Sequence, residues 1–224
     1  MRRIKKALVW MGVVLAVCST LHAQDDSEKI NSNLGFSVGS PLNPIGQFTK
    51  VGVGLTAGIG YNLNEHHSFI GEFMWNYLPS SNAALQPIRV ALQDNSINGH
   101  SDLLAGTANY RYQLQRRALG AYVIGGGGWY YRTFSLSKRV TSSTGITCTD
   151  FWRYWGFTCT SGTVTSEQTI GGYHSNVLGA NAGVGFTIKV GEPSYRAYVE
   201  SRYHYAPTKN INTQLINVTI GIRY

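Results

Sequence analysis

The chain has 224 residues, a formal net charge of +8, 26 glycines, 14 tyrosines and only 13% charged residues. That length suits one domain. Its basic residues are scattered rather than gathered into the stripe that nucleic-acid binding needs, and no apolar run reaches the ~18 residues of a membrane-spanning helix.

The first segment reads MRRIKK, then ALVWMGVVLAVCST, then LHA before QDDSEK. A basic stretch, a short apolar stretch and a small residue at the junction are the parts of a secretory signal peptide. Residues 1–23 are expected to be removed by cleavage after Ala23, leaving residues 24–224 as one domain. Arg2, Arg3, Lys5 and Lys6 would leave with the leader, which halves the net charge. Cys18 would leave too, so the mature chain keeps Cys148 and Cys159, an even pair compatible with a disulfide in an exported protein.

From there the chain alternates. Leu34, Phe36 and Val38 alternate with Gly35, Ser37 and Gly39, and Val51 to Tyr61 alternate with Gly and Thr. In residues 67–77, Phe69, Phe73, Trp75 and Tyr77 share one face while Glu72 and Asn76 share the other. In residues 102–112, Leu104, Ala108 and Tyr110 oppose Thr107, Asn109 and Arg111. Residues 120–132 and 176–189 continue the pattern. In the former, Trp129 and Tyr131 argue for one outward face and Tyr122 and Tyr130 for the other. Residues 195–205 set Tyr195, Val199, Tyr203 and Tyr205 against Glu200, Arg202 and His204. The last segment, LINVTIGIRY, alternates up to the final Tyr224. Period-two alternation means strands between two environments, and eight such segments occur.

The second face consists of Gly, Thr, Ser and Asn with a few charges, while the first carries large apolar residues with aromatics near the strand ends. This is the pattern of an all-β, eight-stranded antiparallel transmembrane barrel, with lipid outside and a packed polar lumen. The connections agree. PLNPIGQFTK, the segment from Leu78 to Ser101, the segment from about Ser135 to Gly172 and PTKNINTQ are the longer ones, and NLNEH, QLQRRAL and VGEPS are short. Barrels of the outer membrane have short periplasmic turns and longer outside loops. Both mature termini are therefore expected in the periplasm.

The closing stretch, with Val218, Ile220 and Ile222 ahead of Tyr224, resembles the C-terminal assembly signal of bacterial outer-membrane proteins. The mature chain as a whole resembles the small OmpA/OmpX-type barrels, the family called outer membrane protein beta-barrel domain. The resemblance implies a Gram-negative outer-membrane location, contact with membrane lipid and lipopolysaccharide, and the barrel-assembly machinery as a partner during biogenesis. It further implies a monomer without a cofactor.

Glu72, Arg111, Glu200, Arg202 and Arg223 fall on lumen-facing positions. Charges in so narrow a lumen must pair, so they form either a solid polar core or the walls of a gated narrow pore. His174 and Ser175 invite comparison with lipid-modifying barrels, but adjacent residues on a strand face opposite ways. His204 suits a lumen hydrogen bond, and His66 and His67 are too few for a metal site. The third outside loop carries Phe151, Trp152, Tyr154, Trp155 and Phe157 between Cys148 and Cys159. An aromatic tip of this kind suits surface interaction, such as adhesion or partner binding. The leading reading is thus a non-enzymatic membrane barrel acting through its outside loops.

Overall fold

The computed structural model describes residues 29–115, 118–151, 156–191, 195–207 and 211–224. The proposed leader and its cleavage point at Ala23 lie outside these residues, as do Trp152, Tyr154 and Trp155. Among the described residues, eight strands run in chain order around a closed antiparallel barrel. They are β1 (Ile30–Pro41), β2 (Gly52–Asn62), β3 (His67–Pro79), β4 (Asn98–Gln115), β5 (Leu119–Phe151), β6 (Gly156–Lys189), β7 (Arg196–Ala206) and β8 (Thr213–Arg223).

Closure runs from Asn33 opposite Arg223 to Pro41 opposite Leu215. Tyr224 and Ser32 then exchange two backbone hydrogen bonds, each 2.9 Å. The last residue is thereby tied to the first strand, and no barrel edge is left to fray or to pair with another chain.

Alternation sorts the side chains as the membrane demands. Leu34, Phe36, Leu55, Ile59, Phe69, Phe73, Val184, Phe186, Val199, Ile220 and Ile222 face outward and are exposed. Their partners in the pleat, among them Ser37, Thr56, Ser68, Asn76, Asn109, Asn181, Asn217 and Thr219, are buried inside. In water this would be an inverted protein; in hydrocarbon the apolar belt is solvated and the backbone groups are all paired between strands.

Aromatic residues gather at both ends of the belt. At the end carrying the short turns and the chain termini, Phe69 packs on Tyr110 at 5.5 Å and Tyr195 on Tyr224 at 5.1 Å between ring centroids. Toward the loop end, Trp129 stacks on Tyr131 at 5.6 Å. This pair settles the ambiguity in β5: Trp129 is exposed, whereas Tyr122 and Tyr130 are buried in the lumen. The glycine run beside them belongs to the packing: a Cβ on inward-facing Gly128 would collide with the backbone oxygen of Gly106 on β4. Glycine there lets two strands approach closely.

Two features depart from the sequence reading. The connection after β3 is more than a loop, because it contains the helix α1 (Asn82–Leu92). Ser81 caps it by accepting from the Ala84 N–H at 3.1 Å, as N-cap serines do. Pro87, a helix breaker by habit, sits inside it and masks the signal. The segment from Ser135 to Gly172 is likewise strand along most of its length, since β5 and β6 continue past the barrel as a paired ribbon.

Candidate functional site

The lumen divides into two halves. At mid-height, β3 contributes Glu72 and β7 contributes Glu200 and Arg202. The Arg202 guanidinium donates from Nη1 to Glu72 Oε1 at 2.6 Å and from Nη2 to Glu200 Oε1 at 2.6 Å. A second Nη2 contact reaches Glu72 Oε2 at 3.3 Å. Each carboxylate has a further donor: Asn33 Nδ2 to Glu72 Oε2 at 3.2 Å, and the Tyr122 hydroxyl to Glu200 Oε2 at 2.9 Å. All three charged side chains are almost fully buried. Taking such groups out of water is costly, and excellent geometry with saturated hydrogen bonding is what offsets it.

Gly185 on β6 makes the Tyr122 contact feasible. A Cβ there would overlap the Tyr122 ring, so the small residue clears the space across which the hydroxyl reaches Glu200.

Arg111 and Arg223 do not join the ion-pair cluster. They lie toward the turn end, where their guanidinium carbons stand 5.9 and 4.7 Å from the centroid of the Tyr122 ring. Arg223 is also 5.3 Å from the Tyr198 ring. Arg111 donates to Ser68 Oγ at 3.3 Å. The aromatic faces stabilise the cations through the ring quadrupole. The sequence placed all five charges on one face but carried no signal that two of them rest on tyrosines rather than carboxylates.

Toward the loop end the lumen turns apolar. Met74, Leu78, Leu103, Ala105, Tyr130, Ala206 and Leu215 form one buried cluster. Sequence reasoning missed it, because inward Leu78, Leu103 and Leu215 sit at strand ends. Tyr130 meets His204 Nδ1 at 3.0 Å beneath the cluster. Ile45, Leu85 and Ile97, from the connections at this end, are buried as well. Those connections are tied together by Ser81, which donates its N–H to Phe48 O at 2.8 Å and its hydroxyl to Gln47 O at 2.7 Å.

The ribbon rises from the same end. The last partner of β4 on β5 is Ser137, and β7 leaves β6 at Ala180. Beyond these points β5 and β6 pair with each other up to Phe151 opposite Gly156. At about 3.3 Å per residue the ribbon projects roughly 45 Å. A bulge between Leu136 and Ser137 marks its exit from the barrel; bulges bend and twist paired strands. At its base the ribbon is fastened to the connection after α1: Lys138 Nζ is 2.7 Å from Asp94 Oδ2, and Ser96 Oγ donates to Arg139 O at 3.3 Å. The Lys138 ammonium and the Ser96 donors hold the Asp94 carboxyl well below the usual carboxylate range. Near the tip, Cys148 stands directly opposite Cys159 in the ladder. Phe151 and Phe157 lie beyond them and, like the cysteines, are described by their backbone alone.

A lipid-facing belt, a packed lumen and a ring of eight strands together define the architecture, and the sequence decides the lineage. The model of the family described as outer membrane protein beta-barrel domain matches residues 11–224. The chain belongs to this family. It is therefore an outer-membrane barrel, with its belt of apolar residues exposed on the outer face. No curated protein matches the sequence. Among solved structures, it is similar to the attachment invasion locus protein Ail of Yersinia pestis at 14% identity, with a TM-score of 0.47, over 88% of this chain and 98% of that one. Neisserial surface protein A is similar at 14% identity and a TM-score of 0.47, over 87% and 95%. The N-terminal barrel of Pseudomonas aeruginosa OprF is similar at 11% identity and a TM-score of 0.39, over 88% and 98%.

Other candidate groups of this barrel fall apart in space. Ser175 is buried on the lumen side, while His174 faces outward near Tyr131 at 6.2 Å between rings. His66 and His67 pack on the girdle residue Tyr112, at 6.1 and 5.1 Å. The outward residues of the closing strand, Val218, Ile220, Ile222 and Tyr224, are all exposed to the bilayer side.

Proposed function

We propose that this outer-membrane barrel is a closed, non-enzymatic scaffold that presents the β5–β6 ribbon at the cell surface for adhesion or partner binding. The observation that carries this reading is the unequal length of the strands. Six strands end with the barrel, and two continue far past it, still paired. A lumen filled by the Glu72–Arg202–Glu200 cluster and by the apolar plug above it supports the scaffold role.

In this reading the short turns and both mature termini lie in the periplasm, and the ribbon lies outside. Residues 1–23 direct export and are removed. Strand β8, ending on Tyr224, is the segment that the assembly machinery engages. The surface around the ribbon's base contacts lipopolysaccharide, and the protein is monomeric.

The tip carries the specificity. Directly opposed residues in an antiparallel pair have Cα atoms about 4.5–5.5 Å apart, within the ~4.4–6.8 Å that a disulfide spans. We therefore assign a Cys148–Cys159 disulfide, formed in the oxidising periplasm. It would brace a tip bearing Phe151, Trp152, Tyr154, Trp155 and Phe157, and rigid aromatics lose little entropy on binding.

The test is a chain in which residues 138–169 are replaced by a short turn. It should insert and fold as the parent does, yet lose binding of whole cells to host-cell or matrix surfaces. Unchanged binding by the shortened protein would contradict the proposal.

A further inference from the structure

We propose that the turn-end half of the lumen binds a small monovalent inorganic anion, of the halide class, between Arg111 and Arg223. Nothing in the scaffold role requires such a site; it follows from the placement of charge.

Three arginines with inward parity converge at this end: Arg111 on β4, Arg196 on β7 and Arg223 on β8. Arg196 stands directly opposite Arg223 in the β7–β8 ladder. The buried carboxylates nearest to them, Glu72 and Glu200, are both engaged by Arg202. The fully buried set of Arg111, Arg202, Arg223, Glu72 and Glu200 thus carries one positive charge in excess. A monovalent anion neutralises it.

The donors are in place. Arg111 is only 1% exposed, and its Nε and Nη1 have no hydrogen-bond partner among the described residues. The Nε of Arg223, which is 7% exposed, also has none. A buried guanidinium with unmet donors is costly, and the Tyr122 face meets its charge without accepting from those N–H groups. Both guanidinium groups stand against the same ring, at 5.9 and 4.7 Å from its centroid, so two like charges share one small region of the lumen. An anion between them turns that repulsion into two attractions. Arg196, half-buried at the same end, adds positive charge on that side of the lumen.

The test uses the mature protein. Crystals grown with sodium bromide as the sole halide should give an anomalous peak in hydrogen-bonding range of Arg111 Nε or Nη1. In detergent, the unfolding midpoint should be a few degrees higher in sodium chloride than in sodium gluconate at equal ionic strength. A sodium phosphate arm should behave like gluconate if the site is of the halide class. Arg111→Met, close in length but uncharged, should abolish the chloride dependence. Density beside Arg111 without an anomalous signal would assign the position to water and overturn the proposal. So would equal midpoints in all three salts, or a chloride effect of undiminished size in Arg111→Met. The bromide measurement on the parent protein stands even where the variant fails to fold.

Discussion

The barrel wall and the ribbon that grows out of it are made of the same two strands under different rules. Within the wall, each strand has two neighbours, one face in lipid and one in a crowded lumen. Beyond Ser137 β5 has β6 as its only strand neighbour, and beyond Ala180 β6 has only β5. Apart from the contacts of Lys138 and Arg139 at its base, the ribbon is held by that one ladder among the described residues. A substitution in the wall changes the environment of many groups that cannot rearrange. In the ribbon it changes a local pairing that the barrel does not feel. The comparison teaches that stability and function are carried by separate parts of one hairpin.

The wall should break hardest at its charged centre. Arg202→Ala leaves Glu72 and Glu200 buried without their cation, and should cost about 3–5 kcal/mol. The readout is the urea midpoint of the purified barrel, followed by its gel mobility with and without heating. A loss of well under 1 kcal/mol would mean that the lumen is wetter than its geometry implies. The outer face comes next. Ile220 is 62% exposed on β8, and Ile220→Lys should cost about 2–4 kcal/mol near mid-bilayer and lower the amount inserted in the outer membrane. Normal surface levels would contradict the facing of that strand.

The ribbon should behave oppositely. Replacing Cys148 and Cys159 with serine should leave the barrel midpoint within about 0.5 kcal/mol, as for changes remote from any core. The tip should meanwhile become sensitive to protease. Thiol labelling of denatured, unreduced parent protein should find no free cysteine, and two labelled thiols would remove the disulfide. The smallest effect belongs to the ribbon's base. Because Lys138 lowers the folded-state value of the Asp94 carboxyl, their contact stabilises above the ordinary carboxylate range, near pH 4, and is lost as pH falls through the lowered value. Amide exchange around Ser96, taken relative to the intrinsic rate at each pH, should be flat from pH 8 to 5 and rise only in stronger acid. Lys138→Ala should move that rise to higher pH without changing the barrel midpoint.

The same contrast explains what could be read from the sequence. Alternation such as Phe69, Phe73 and Trp75 against Glu72 and Asn76 exists because lipid and lumen select different side chains, so the wall strands and the inward placement of Glu72, Glu200 and Arg202 were legible. The described ribbon residues from 138 to 151 and from 156 to 169 pair with each other outside the barrel wall. Lipid and lumen do not select their two faces, so no period marks them and a ribbon reads as a loop. The helix after β3 was hidden by Pro87, and its one deeply buried residue, Leu85, is too sparse a stripe to announce a helix. Partner choice inside the lumen was out of reach for another reason. Parity says that Arg111 faces inward, but only the three-dimensional register brings Tyr122 beneath it and reserves both carboxylates for Arg202.

The claim that ties these parts together is that the barrel is closed and acts through what it displays. Planar-bilayer recording of the purified mature protein, alongside the chain lacking residues 138–169, tests it most directly. Both should show no steady conductance, because the plug from Met74 to Leu215 and the cluster around Arg202 fill the lumen whether or not the ribbon is present. Large, regular channels from either protein would contradict the account and make the lumen, rather than the ribbon, the working part of the molecule.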